Sequence, residues 1–283
     1  MADQCSIQSH RDENERRRQA LHAQLSAAPL ELITGVLKPC GLGAVKGGPG
    51  TPWDLLLTFE AWRVDGGEIQ AQRLSLHKFD VLESETSDWV WRFPDYSILR
   101  VRAGVVLHSM LGGPRGLLDA VLSAEAEDDD LAQVATKLRE PLTFTDAILG
   151  TFQWDRSVDL WAGNPAWMGR GVYLRFDAHA PTHPEAGLIV AYELFENAAS
   201  WDGRMRDFAA DRFLSLRNET WLQEGESPTT REEFTAKLRM ESILISADGT
   251  VEFCFEDGGL FWGHWIVLRG DTKTNTFEVE LAG

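Results

Sequence analysis

Asp257-Gly258-Gly259-Leu260-Phe261-Trp262-Gly263-His264-Trp265-Ile266-Val267 sets three aromatics, a histidine and three glycines in eleven residues. Just before it lies Ala247-Asp248-Gly249-Thr250. Asp-Gly between apolar runs is a strong hairpin signal, because glycine accepts the positive φ that tight hairpin turns need. Upstream, Ile243 and Ile245 alternate with Leu244 and Ser246; downstream, Val251, Phe253 and Phe255 alternate with Glu252, Cys254 and Glu256. A period of two describes half-buried strands. Asp257-Gly258-Gly259 is a second turn signal. Leu260 to Leu268 reads as a third strand, apolar enough to be covered on both faces. The expected product is a three-stranded antiparallel meander packed on a helix. His264 falls mid-strand in this reading, with Gly263 marking a bulge or a close backbone approach. A general base needs a partner within hydrogen-bond reach, and no local spacing supplies one. The sequence therefore favours a structural, hydrogen-bonded His264.

The stretch Gly259-Leu260-Phe261-Trp262-Gly263-His264, together with the terminal Leu281-Ala282-Gly283, resembles the end of a bacterial family of unknown function, DUF2262. Further segments carry the same resemblance: Leu149-Gly150-Thr151-Phe152 with Asp155-Arg156, Trp201-Asp202, and Leu216-Arg217-Asn218-Glu219-Thr220-Trp221-Leu222. It covers roughly Leu142 to Gly283. It implies a fold unit and no reaction. Phe261, Trp262, Gly263 and His264 are the motif residues it singles out.

The chain has 283 residues, more than one hydrophobic core usually serves, so two domains are expected, 1–141 and 142–283. Its formal net charge is −17. A field of that sign repels phosphate backbones and argues against nucleic acid as a partner. It suits a basic protein. Eleven tryptophans are many for this length, and tryptophan is favoured in cores and interfaces. The three cysteines, Cys5, Cys40 and Cys254, form neither a disulfide framework nor a metal pattern, which fits a reducing, cytoplasmic setting. Met1 to Arg18 lacks the apolar core of a secretory signal, and no run of eighteen apolar residues suggests a membrane span.

Along the chain, Ser9 to Ala28 reads as a helix with acids before bases. Leu30 to Leu37 reads as a short strand and Gly41 to Pro52 as a glycine-rich loop. That loop lacks the order of a phosphate-binding loop. Trp53 to Val64 and Glu68 to Phe79 form a hairpin about Asp65-Gly66-Gly67. Trp89 to Phe93 and Ser97 to Val106 read as two more strands, and Gly116 to Ala126 as a helix on the spacing of Leu117, Leu118, Val121 and Leu122. Asp128 and Asp129 cap a further helix, which Pro141 ends. Phe144 to Trp154, Val158 to Ala162 and Val172 to Asp177 read as strands. His179 and His183 resemble a metal pair, but Pro181 and Pro184 forbid the helix that would align them. Ala186 to Arg217 reads as one long helix. Leu194, Trp201, Met205 and Phe213 lie on its buried face; Asp202, Arg204, Arg206 and Asp211 lie on its wet face, and Gly203 is a place to bend. Thr230 to Glu233 is a capping box.

The fold class that follows is α+β: antiparallel sheets with packed helices in two abutting domains. No nucleophile elbow, CxxC, HExxH or GxGxxG occurs, and no catalytic, cofactor or metal residue is assigned. By elimination the expected role is non-enzymatic protein binding, in concrete form an acidic immunity (antitoxin-like) protein that neutralises a basic bacterial toxin. The alternative is a hydrolase or metal-dependent enzyme using His264 and nearby carboxylates. The candidate partner-binding acids are Glu125, Glu127, Asp128, Asp129 and Asp130 before the domain boundary, and Glu224 and Glu226 after Trp221.

Overall fold

The computed structural model describes residues 2–46, 51–87, 89, 91–178 and 180–283, with side chains described from Asp12 onward. The chain divides into two compact units, Met1–Glu140 and Pro141–Gly283, and the fold is α+β.

The first unit is a closed five-stranded barrel in the order β1-β2-β3-β5-β4: β1 Leu30–Lys46, β2 Trp53–Val64, β3 Leu74–Val81, β4 Ile98–Val106 and β5 Arg115–Ser123. β3 and β5 run parallel and the other pairs antiparallel. This is the strand order of an OB-type barrel. Period-two side chains fill the interior, among them Ile33, Leu57, Phe59, Leu76, Leu99 and Val101, each fully buried. Residues Gly116 to Ala126 are therefore not a helix. Their apolar spacing fits either period, and pairing with β3 and β4 decides it. Gly41 to Lys46 is not loop but the second half of a long β1, which slips register against β2 between Val36 and Leu42. Gly47, Gly48 and Gly50 of the expected loop lie outside the described residues. The described residues of the expected strand Trp89 to Phe93, namely 89 and 91–93, are turn and bend rather than strand; Val90 lies outside the described residues. Trp89 is buried, donates from Nε1 to the Leu56 carbonyl at 3.0 Å and joins the barrel core.

Two helices serve this unit. α1, Ala2–Ser26, sends Arg18 to Asp54 on β2 at 2.6–2.7 Å and to Asp80 at 2.7 Å. α2, Asp129–Arg139, buries Leu131 and Ala135 with Val36 and Ala61 of the barrel wall. Its N-cap is Asp128, whose carboxylate accepts from Leu131 N at 3.0 Å.

The second unit is an eight-stranded sheet, ordered β15-β14-β13-β12-β11-β8-β7-β6. Its strands are β6 Thr143–Asp146, β7 Gly150–Asp155, β8 Leu160–Gly163, β11 Tyr173–Asp177, β12 Arg239–Ile245, β13 Thr250–Glu256, β14 Trp265–Asp271 and β15 Thr276–Ala282. A small separate ribbon pairs β9 Ala166–Trp167 with β10 Arg170–Gly171. Among the described residues the only parallel neighbours in the sheet are β11 and β12. Three helices lie in the crossover between them: α3 Glu185–Glu196, α4 Ala198–Thr220 and α5 Arg231–Lys237. The expected single helix is thus two, and the break falls at Asn197 rather than at Gly203. Thr230 and Glu233 close a reciprocal capping box on α5. The expected meander is present as β12–β13–β14, one segment of the larger sheet. It packs on α4 through Trp201, whose ring stacks with Phe253 at 6.3 Å. The third strand begins at Trp265, not Leu260, so His264 stands in the turn that precedes it.

Candidate interaction site

The turn Asp257 to His264 is built around one buried carboxylate. Asp257 is 4% exposed and accepts from three backbone donors: Gly259 N at 2.9 Å, Phe261 N at 2.5 Å and Gly263 N at 3.2 Å. Three charge-assisted hydrogen bonds satisfy a group that would be costly to bury bare, and they fix the path of the chain. Gly258 supports the same path. Its φ is +58°, and a Cβ there would stand 2.4 Å from the Lys237 carbonyl at the end of α5.

The turn sorts its aromatics in opposite directions. Phe261 is fully buried, with its ring 5.9 Å from Phe213 and 6.1 Å from Phe234. Trp262 is turned outward and is 64% exposed at φ +60°. A left-handed conformation is costly for a bulky aromatic and persists only where the surroundings impose it. Trp221, just past the end of α4, packs its ring edge-to-face 4.9 Å from Trp262 and 5.3 Å from His264. His264 Nδ1 lies 2.6 Å from the Phe261 carbonyl oxygen, so Nδ1–H donates there and Nε2 is left as the acceptor.

Beneath Trp221 lies Arg217, one helical turn back and 2% exposed. Its Nη2 donates to Glu226 Oε2 at 2.7 Å, while Nε and Nη1 are buried without a hydrogen-bond partner among the described residues. Glu226 also accepts from Gln223 N at 2.8 Å, and its carboxyl is held below the usual range, first by the Arg217 hydrogen bond and then by that backbone donor. Glu226 is therefore a clamp on Arg217. Glu224 and Glu219, on either side of Trp221, are exposed.

The acidic run in the first unit divides in the same way. Arg63 donates to Asp128 Oδ2 from Nε at 2.9 Å and from Nη2 at 2.6 Å, and to Asp130 from Nη1 at 3.2 Å. The Asp128 side chain is only 7% exposed, so it is a cap and an ion-pair partner. Glu125, Glu127 and Asp129 are exposed. A cleft of about 620 Å³ runs beside this region between Arg63, Arg100, Asp65 and Glu127.

One expectation on α4 is corrected. Asp202 is not on a wet face. It is 7% exposed and accepts from Arg206 Nε at 2.5 Å and from Trp167 Nε1 at 3.3 Å. Trp167, on a ribbon distant in sequence, supplies the partner that local spacing could not announce. His179 lies outside the described residues, and His183 packs its ring 4.7 Å from Phe144. Among the described residues no group of three or more His, Cys, Asp or Glu gathers as a metal site. No described helix is long and apolar enough to cross a membrane.

The unit that carries the turn is a bacterial domain of unknown function. Residues 146–281, in the C-terminal half of the chain, match the family described as "Uncharacterized protein conserved in bacteria (DUF2262)". Residues 17–138 match "Domain of unknown function (DUF7021)". No curated protein and no solved structure matches the chain.

Proposed function

We propose that the chain is a non-enzymatic protein-binding protein whose anchor is the Trp221–Trp262 turn, and that its partner is a basic protein. The observation that carries this reading is Trp262: an aromatic held outward in a strained conformation by a turn whose buried carboxylate and buried Phe261 leave it little freedom. Preorganised, exposed tryptophan is the side chain that most often dominates a protein interface. The exposed Glu219 and Glu224 near Trp221, in a chain of net charge −17, complement lysine or arginine on the partner. In its most concrete form the protein is an immunity (antitoxin-like) protein that occludes a basic toxin in the cytoplasm, where free Cys40 and Cys254 suit a reducing setting.

The enzyme alternative has less support. His264 is tied to a backbone carbonyl, and Asp257, the buried carboxylate of the same turn, is spent on three backbone donors. The test is affinity capture from the native host with wild type and Trp262→Ala, followed by kinetics on the captured protein at two ionic strengths. Stoichiometric capture of a basic protein by wild type alone, with an association rate that falls as salt rises, is expected. Equal capture by the variant, a salt-independent on-rate, or submicromolar binding to duplex DNA or RNA at physiological salt would overturn the reading.

A further inference from the structure

Apart from the aromatic turn, the second unit holds a cavity of about 350 Å³ between the β9–β10 ribbon, α4 and the start of β12. Its volume is in the range of small-molecule sites. The apolar lining comes from Trp167, Val172, Leu238 and Met240, all buried. Three arginines, Arg170, Arg206 and Arg239, also line it, against the single acid Asp202. That excess of positive charge stands in a chain whose formal charge is −17.

The arginines are not equivalent. Arg206 is locked. Nε and Nη2 donate to Asp202, and Nη1 donates to the Thr235 carbonyl at 2.6 Å and to the Leu238 carbonyl. Four of the five N–H groups of a guanidinium are thereby taken, which fixes its plane. Arg239 pairs with Glu256 and lies 4.0 Å from Glu241. Arg170 is an exposed part of the lining, and its side chain makes no hydrogen bond or ion pair among the described residues. The turn that presents it is tight, with Met168 at φ +49° and Gly169 at +83°. Asp202 already accepts three hydrogen bonds, two from Arg206 and one from Trp167, and makes none with Arg170 among the described residues. Next to Arg170, a Cβ on Gly171 would meet nothing within 4 Å, so open space adjoins the free cation.

We propose that this cavity binds a small organic carboxylate, with the apolar body against Trp167 and Met240 and the carboxylate on Arg170. The site is separate from the aromatic turn and does not depend on the protein-partner reading. An apolar pocket with a few convergent polar groups is the usual form of such sites, and a free guanidinium matches a carboxylate in a bidentate fork. The apolar lining favours an organic anion over inorganic phosphate.

The experiment is a two-dimensional NMR titration of the full chain with benzoate, benzamide and inorganic phosphate. The indole N–H of Trp167, which points at Asp202 in the wall, is the reporter. Benzoate is expected to shift this signal saturably, while benzamide and phosphate leave it in place. Arg170→Met should weaken benzoate by at least about tenfold, the worth of a charged hydrogen-bonded contact. Gly171→Leu, which adds bulk at a lining position beside Arg170 and removes no charge, should weaken it as well. Both positions are exposed, so the folded spectrum serves as the control. Equal binding of benzamide, binding of phosphate as tight as benzoate, unchanged affinity in Arg170→Met, or no saturable shift with millimolar benzoate would each overturn the proposal.

Discussion

Asp128 and Asp257 both have nearly buried carboxylates, one at the start of a helix and the other at the start of a turn, and they are held in opposite ways. Asp128, in the barrel unit, is neutralised by Arg63 and caps a helix. Asp257, in the sheet unit, has backbone N–H groups as its hydrogen-bond donors and shapes a turn that pushes a tryptophan into solvent. The barrel as a whole follows the first pattern: Arg18 on Asp54 and Asp80, Arg73 on Glu60, Arg63 on Asp128 and Asp130. An acidic run in a sequence is thus not the same as free acid. What an aspartate is bonded to decides whether it can meet a partner, and the turn at Asp257 offers an aromatic where the run at Asp128 offers a partly spent charge.

The framework under the Asp257 turn carries the largest expected effect. Phe253 is fully buried, stacked on Trp201 and 6.0 Å from Phe277. Phe253→Ala removes a ring that the sheet and α4 share, and should cost roughly 3–5 kcal/mol of stability in chemical denaturation. A loss below about 1 kcal/mol would mean that the sheet face collapses around the gap and does not rigidly support the turn.

The barrel should show its own signature in acid. His77 is 8% exposed; burial, and then the charge of Arg115, push its imidazole from 6.5 down to about 4. Arg115 Nη1 lies 3.2 Å from His77 Nε2 and donates to it, which requires the neutral ring. Because the folded value lies below the unfolded one, the unfolded chain takes up a proton first as pH falls. Stability is full above about 6.5 and is lost towards 4. By pH 5 the loss from this one group is about 2 kcal/mol. Urea denaturation at pH 7 and pH 5 should show a smaller loss for His77→Gln than for wild type, with other carboxylates common to both. Parallel losses would remove His77 from the account.

Much of the scaffold was legible because it is local. The Asp248-Gly249 hairpin, the Thr230 to Glu233 capping box and the Asp128 cap each depend on residues within a few positions. Sequence and structure part where distant pairing decides. Leu117, Leu118, Val121 and Leu122 satisfy a helical period, yet the segment closes the barrel. Gly116 shows why, since a Cβ there would stand 2.6 Å from the Gly104 carbonyl across the sheet. The glycines of Gly41 to Lys46 suggested loop, and the strand uses them instead. The motif at Phe261 to His264 was visible as an aromatic cluster. Its division into one buried and one outward ring was not, because it depends on Asp257 gathering three donors and on Trp221 arriving from α4. The burial of Asp202 is hidden from local spacing for the same reason: its partner Trp167 is 35 residues away.

The smallest expected effect is also the most pointed test of the turn. Alanine is normally more stabilising than glycine, because glycine has more freedom to lose on folding. At position 262 the order should reverse. Trp262→Ala and Trp262→Gly delete the same contact with Trp221, so lost packing cancels between them. What remains is the backbone at φ +60°, which costs a residue with a Cβ roughly 1–2 kcal/mol and glycine nearly nothing. The glycine variant should therefore be the more stable of the two by about 1 kcal/mol in chemical denaturation. Both should lose the partner equally, since both lack the indole. If alanine is the more stable, the turn relaxes once the ring is gone and the left-handed backbone follows from the tryptophan. If glycine is the more stable, the scaffold around Asp257 imposes the strain and the tryptophan is held in it.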